Sequence, residues 1–227
     1  AYIDSQTSEE MAKQKGTPTK HGEESPFRNR KKDESLKIFK EMFDGEHNQG
    51  QHVLRAKIDM TSPNMLMRDP VLYRVMNVDH HRTKDNWKVY PMYDWTHGES
   101  DYIEQISHSL CTLEFEPHRE LYDWFLDAIS PLKGVRPKQR EFSRLNLSYT
   151  ITSKRKLAEL VEGKLVEGWD DPRMPTISGL RKRGYTPEAL KNFALTVGVS
   201  KRENVIDASL LEFNIRTHLN EVAPRAM

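Results

Sequence analysis

Glu141-Phe142-Ser143-Arg144-Leu145-Asn146-Leu147-Ser148-Tyr149-Thr150-Ile151 runs straight into Thr152-Ser153-Lys154-Arg155-Lys156, and this passage decides the fold class. The first part reads as a long extended segment, and the second puts a basic cluster where a helix begins. Upstream the alternation repeats. His97 to Leu110 predicts a helix with Ile103, Ile106 and Leu110 on one face, Cys111 to Phe115 a strand, and Pro117 a helix start with Leu121, Trp124, Phe125 and Ala128 inside. Strands alternating with helices predict an α/β chain built on a parallel, nucleotide-fold sheet, whose ligands sit at the carboxyl ends of strands. Beyond Leu157 the pattern is nearly all helical. Thr186-Pro187-Glu188 is a cap, a first-turn proline and an acidic first turn, followed by Leu190, Phe193, Ala194 and Val197 and closed by Gly198. Asp207 is placed to cap one more helix through Leu219.

Before this α/β core the chain is polar, then β-rich. Thr7-x-x-Glu10 predicts a capping box on a short helix, Ser25 to Lys32 a basic extended stretch, and Asp33 to Phe43 a helix with Leu36, Phe39 and Phe43 on its apolar face and Gly45 as its stop. From His52 to Tyr93, Val53, Ile58, Val71, Tyr73, Val75, Trp87 and Val89 fall in short apolar runs separated by Pro63, Pro70 and polar turns, which predicts several strands. Three domains are expected: 1–92, 93–151 and 152–227.

The chain has 227 residues, 36% hydrophobic and 30% charged, with mean hydropathy -0.78. That is a globular composition. Lys and Arg number 35 against 34 Asp and Glu, a net +1, so the total neither requires nor excludes a polyanionic partner. Cys111 is the single cysteine and cannot form an internal disulfide, and no apolar run is long enough for a bilayer span or a signal peptide. A cytoplasmic setting with no membrane partner is the expectation. The opening at Ala1-Tyr2-Ile3-Asp4, without an initiator methionine, reads as a piece of something longer.

Three groups of residues carry candidate chemistry. A lysine at a helix start after an extended run, as at Ser153-Lys154-Arg155-Lys156, lies against phosphate oxygens while helix N–H groups face the same anion; the bland alternative is a solvated basic helix start. Arg181-Lys182-Arg183 and Lys201-Arg202 stand at helix ends, where the dipole favours cations without any partner but where they also suit a phosphate backbone. Tyr90-Pro91-Met92-Tyr93-Asp94-Trp95-Thr96-His97 is either core or a small polar-ligand site near Cys111. His80, His81, His97, His108 and His118 show no metal-ligand spacing, so no metal site is expected.

Read together, five blocks resemble the glutaminyl-tRNA synthetase family. They are Arg55-Ala56-Lys57-Ile58-Asp59-Met60, Met67 to Arg74, Tyr90 to His97, His108-Ser109-Leu110-Cys111-Thr112-Leu113-Glu114-Phe115, and Gly168 to Thr176, and Thr152 to Lys156 resembles that family's version of the class I KMSKS loop. The similarity runs over essentially the whole chain. It implies the second half of a Rossmann-type nucleotide-binding fold (93–151), an inserted β-rich acceptor-stem-binding domain (1–92) and a helical stem-contact subdomain carrying the loop (152–227). The implied chemistry activates an amino acid with ATP to an aminoacyl-adenylate and passes it to the 3′ end of tRNA.

By the same resemblance, Lys154 is the catalytic lysine, neutralising phosphate charge, and Thr112, Arg144, Leu145, Thr152 and Ser153 join it around ATP, whose Mg2+ travels with the nucleotide. Tyr93 contacts glutamine, with Gln139, Cys111, Ser109 and Phe115 around it. Pro63, Met65 and Pro117 face the acceptor stem of tRNA(Gln), and Lys201, Arg202 and Asn204 face the inside of the tRNA. A neutral Cys111 favours glutamine, because a glutamate enzyme needs a cation near the side-chain carboxylate; Arg140 and Arg144 keep that point arguable. Pro18 and Pro117 depart from the family, which often has a wedging leucine and a base-reading aspartate there, so tRNA binding with altered acceptor-end recognition is expected. No HIGH-type sequence is present and no anticodon-binding barrels follow, so the isolated chain is expected not to charge tRNA; its parent is expected to be monomeric. The alternatives are a glutamyl-tRNA synthetase and a non-catalytic tRNA-binding module descended from a synthetase.

Overall fold

Thr7 and Glu10 exchange the two hydrogen bonds of a capping box, Thr7 N–H to Glu10 Oε2 at 2.8 Å and Glu10 N–H to Thr7 Oγ1 at 3.3 Å, and so open the first helix, α1, Ser8–Gln14. In the computed structural model, which describes residues 1–129, 131 and 133–225, the chain divides into two compact units, Ala1–Glu141 and Phe142–Met227. The expected domain limits at 92/93 and 151/152 do not coincide with that division.

The first unit is organised by a four-stranded antiparallel sheet in chain order: β1 Tyr2–Asp4, β2 Val53–Arg55, β3 Val71–Val75 and β4 Val89–Pro91. Alternation along β3 sends Leu72 and Val75 to opposite faces. Val75 joins Ile3, Met42 and Val89 in one core cluster, and Leu72 joins Ala56, Met67, Leu121 and Phe125 in another. Helix α2, Lys32–Asp44, ends on Gly45 at φ 83° and contributes Met42 to the first cluster. Its apolar face is rotated from the expected one. Ser35 and Met42 are buried, Ile38 and Phe39 pack beside them, and Leu36 and Phe43 stay exposed, because Phe43 meets Trp87 edge-on at 5.6 Å instead of entering the core.

Several local expectations change. Ser25 to Lys32 is not extended: Arg28 N–H bonds Ser25 O and Arg30 N–H bonds Phe27 O, making turns that aim Arg28 at Asp69 and Arg30 at the carbonyl of Ile3. The helix expected over 97–110 lies at Tyr93–Ile103 (α3), and Leu110 belongs to a strand, β5, His108–Thr112. The expected strand over 111–115 is shortened because Leu113–His118 coils into a 3-10 turn that includes Pro117, so the next helix, α4, opens at Arg119 and runs to Ala128. Leu121, Tyr122, Phe125 and Leu126 are its buried residues, while Ala128 is exposed. Each fully buried aromatic or leucine contributes about 1.5–3 kcal/mol relative to exposure. Strand β6, Lys138–Phe142, pairs with β5 in a separate two-stranded sheet.

In the second unit the extended run is broken. Only Asn146–Leu147 is strand (β7), pairing parallel with Val205–Ile206 (β8), and Tyr149 turns the chain at φ 55°. The helices are α5, Lys154–Glu162; α6, Ile177–Lys182; α7, Pro187–Val197; and α8, Ala208–Val222. Thr186 caps α7 with Pro187 in its first turn, and Asp207 caps α8. The core joins α7 and α8 through Ala189, Phe193, Leu211 and Ile215. Asp171 braces the 167–173 loop: the Arg173 guanidinium and the N–H groups of Glu167 and Arg173 hold its carboxyl well below the usual range.

Gly179 in α6 has no room for a side chain. A Cβ there would stand 2.4 Å from Met174 O and 2.6 Å from Asp171 O, both backbone atoms. Alanine normally improves a helix by about 1 kcal/mol over glycine. Here overpacking outweighs that gain, and Gly179→Ala is expected to lose about 1–3 kcal/mol. A thermal melt in which Gly179→Ala is as stable as the parent chain, or more so, contradicts this.

Candidate functional site

Tyr93 begins α3 at the end of β4, and the placement makes an aromatic cluster. Its ring stacks on His97 at 5.3 Å between centroids and tilts against Phe115 at 4.6 Å, and its hydroxyl meets His97 Nδ1 at 3.2 Å. His97 Nε2 reaches Asp101 Oδ2 at 3.4 Å, one turn further on. Burial, then nearby Cys111 and the surrounding carboxylates, pushes the Tyr93 hydroxyl up to about 12. At neutral pH it is therefore uncharged and can both donate and accept a hydrogen bond.

The other residues expected around an amino acid assemble beside this cluster on β5, β6 and the 3-10 turn. Gln139 Nε2 donates to Phe115 O at 2.8 Å and to Glu141 Oε1 at 2.9 Å, so one amide ties the turn to β6. Glu141, buried, is clamped by Arg119 through two hydrogen bonds. Cys111 Sγ faces Arg140 O at 3.9 Å. Ser109 is fully buried and its hydroxyl meets Tyr122 at 2.7 Å, so it supports the site from behind. Thr112 closes β5 and its hydroxyl donates to Glu114.

Pro63, Met65 and Pro117 also come together in this unit. Asn64 does the joining: its Oδ1 caps the 3-10 turn Met65–Met67 at Leu66 N–H, while its Nδ2 donates to Pro117 O at 3.0 Å and to Glu120 Oε2 at 2.8 Å. His118 Nδ1 lies 2.5 Å from Asp94 Oδ1 and fastens the end of the turn to the first turn of α3. Neither contact could be read from spacing. Asn64 and Pro117 stand 53 positions apart, and His118 and Asp94 stand 24 apart.

In the second unit, Arg144 Nη2 donates to Thr152 Oγ1 at 2.9 Å, bringing two of the residues expected near a nucleotide into contact. Leu145 and Thr152 line a cavity of about 690 Å³ with Leu157, Leu160 and Leu180. Ser153 is the N-cap of α5 but makes no side-chain capping bond, which leaves the helix's first N–H groups without a side-chain partner there, and Lys154 is the first helical residue. Lys201, Arg202 and Asn204 are exposed on the bend between α7 and β8. This bend is anchored by Ser143 N–H to Ser200 O at 2.7 Å. Of the basic run at the end of α6, Lys182 pairs with Asp170 at 3.2 Å, while Arg183 lies over Tyr185. Among the described residues no group of three or more His, Cys, Asp or Glu could hold a metal, and no helix is long and apolar enough to cross a membrane.

The first unit thus carries an aromatic cluster at Tyr93, His97 and Phe115, and the second a basic helix start at Lys154 beside the hydroxyl-bearing residues Thr152 and Ser153. Residues 1–221 match the model of the catalytic domain of class I tRNA synthetases for E and Q. The chain belongs to this family. Over its full length it is 58% identical to the glutamine–tRNA ligase of Neisseria meningitidis, 57% to that of Vibrio cholerae and 56% to that of Pseudomonas syringae pv. tomato. It spans 40% of the length of each of these relatives. A solved glutamate–tRNA ligase from Elizabethkingia meningosepticum shares the fold with a TM-score of 0.57 at 17% identity, covering 98% of this chain and 50% of that one. The mixed α/β fold expected from the sequence stands.

Proposed function

We propose that this chain is part of a cytoplasmic glutaminyl-tRNA synthetase, joining glutamine to tRNA(Gln) through a glutaminyl-adenylate made from ATP. The observation that carries the choice of glutamine is that Cys111 and Gln139, two of the residues read as surrounding the amino acid, carry no charge. Cys111, Gln139 and Phe115 offer hydrogen-bond partners and aromatic surface, while the buried carboxylate nearby, Glu141, already has Arg119. An amide side chain needs hydrogen bonds and no counter-charge, whereas a buried glutamate carboxylate left unpaired is costly.

In this reading 1–92 is the inserted acceptor-stem domain, 93–151 the second Rossmann half, and 152–227 the KMSKS-like loop with its helical stem-contact region. Tyr93 orients the substrate. Thr112, Arg144, Leu145, Thr152 and Ser153 hold ATP, with Mg2+ neutralising its phosphates when bound. Lys154 and the free N–H groups of α5 stabilise negative charge at the reacting phosphate. Pro63, Met65, Pro117, Lys201, Arg202 and Asn204 contact tRNA.

The test is ATP–pyrophosphate exchange by the full-length gene product in the presence of tRNA. Exchange should depend on glutamine and be on the order of 10⁴-fold less efficient with glutamate, the scale at which a site built for specific hydrogen bonds rejects an analogue that leaves them unpaired. Equal use of both amino acids overturns the glutamine assignment, and tRNA binding without any exchange overturns the enzyme reading.

A further inference from the structure

Arg68 is among the most deeply buried side chains of the first unit, and among the described residues it has no carboxylate partner. Its guanidinium faces backbone carbonyls only. Nε donates to Ser62 O at 2.8 Å, while Nη1 faces Lys15 O at 2.8 Å, Thr17 O at 3.0 Å and Lys20 O at 3.0 Å. A buried cation is costly unless its donors find acceptors, and here Nε and Nη1 find theirs by gathering two surface segments that are far apart in sequence.

The first segment is the turn 15–20. Thr17 and Lys20 exchange N–H to O bonds at 3.0 and 3.2 Å, Pro18 sits at the exposed tip, and Gly16 turns at φ 76° with a would-be Cβ 2.5 Å from Lys20 O. The second begins at Ser62 and carries Pro63 and Met65, with Asn64 leading on to Pro117. The tip presents Thr17, Thr19, Lys20 and His21 to solvent, with Lys20 3.6 Å from Glu23, a set of hydroxyls, an ammonium and an imidazole suited to a phosphate–sugar surface.

We propose that Arg68 is a positioning residue for RNA, holding the 15–20 turn and the 62–65 segment in one fixed relation so that both meet the acceptor stem together. The proposal rests on the reading of 1–92 as the acceptor-stem domain. Arg68 touches no RNA in this account; it acts through carbonyl oxygens whose residues do. Arginine suits the task because its planar fork reaches several acceptors in set directions, which a lysine ammonium does not reproduce.

Steady-state aminoacylation by the full-length gene product separates the possibilities. Arg68→Gln is expected to raise KM for tRNA on the order of 10-fold, the scale of a small misplacement of binding groups, with KM for glutamine in tRNA-saturated assays changed less than about twofold. Arg68→Lys should recover part of the loss. Pro18→Gly, which loosens the same turn without entering the core, should raise KM for tRNA in the same direction and keeps the question answerable if Arg68→Gln does not fold. Equal shifts in both KM values, or no change in either for both Arg68→Gln and Pro18→Gly, overturn the proposal while leaving the synthetase assignment in place. If the unsubstituted protein shows no tRNA-dependent turnover, the functional reading falls first and this proposal with it.

Discussion

Asp69→Ala is expected to lose about 3–5 kcal/mol of stability, the range for breaking a buried ion pair by removing one partner. Asp69 is buried and its carboxylate accepts from Arg28 Nε at 2.7 Å, Ile58 N–H at 2.7 Å and the Tyr2 hydroxyl at 3.1 Å. Alanine leaves the Ile58 amide and the Tyr2 phenol without this acceptor, and leaves the Arg28 guanidinium with only Glu24 Oε1 at 2.8 Å and Ile58 O at 3.2 Å. Burial raises the Tyr2 hydroxyl far above its ordinary range, so it stays protonated and cannot take over the pairing of Arg28. The backbone adds to the effect, because Asp69 sits at φ 41°, where Asp and Asn are tolerated better than alanine. Asp69→Asn keeps one acceptor for Ile58 and should lose distinctly less. Urea unfolding of the two variants gives the comparison, and equal losses would show that the amide acceptor kept by asparagine contributes nothing, which overturns the expected ranking.

Lys154→Ala should lower glutamine-dependent ATP–pyrophosphate exchange by the full-length gene product about 10²–10³-fold, the scale seen when one preorganised donor to a developing anion is removed. KM for glutamine should hardly move, since in this reading Lys154 acts on phosphate charge and not on the amino acid. Lys156, in the same basic run, is the comparison. If Lys156→Ala is as damaging as Lys154→Ala, the loop acts as a diffuse positive patch and the specific role falls.

Local capping chemistry was legible because it is written within a few residues. Thr7 with Glu10, Thr186 with Pro187 and Asp207 each stand at the helix start expected of them. Periodicity did less well where tertiary contacts decide. Leu36 and Phe43 match a helical face as well as Ser35 and Met42 do, and only the position of Trp87 and the sheet selects between them. Leu110 fits both a helix stripe and strand alternation, and pairing with β6 resolves it to strand. Around the candidate site the residues themselves were identifiable from the family blocks, but their supports were not. Asn64, Arg68, Asp94 and His118 act through contacts between segments distant in sequence, and a single sequence carries no trace of those distances.

The turn at 15–20 has a thermodynamic consequence. Pro18 restricts one backbone dihedral before folding begins, Gly16 supplies the positive φ, and Arg68 removes what freedom remains by joining three of the turn's carbonyls. A ligand that meets this turn finds it already ordered. Association there costs less backbone entropy than ordering a free loop would, so less of the favourable contact energy is offset.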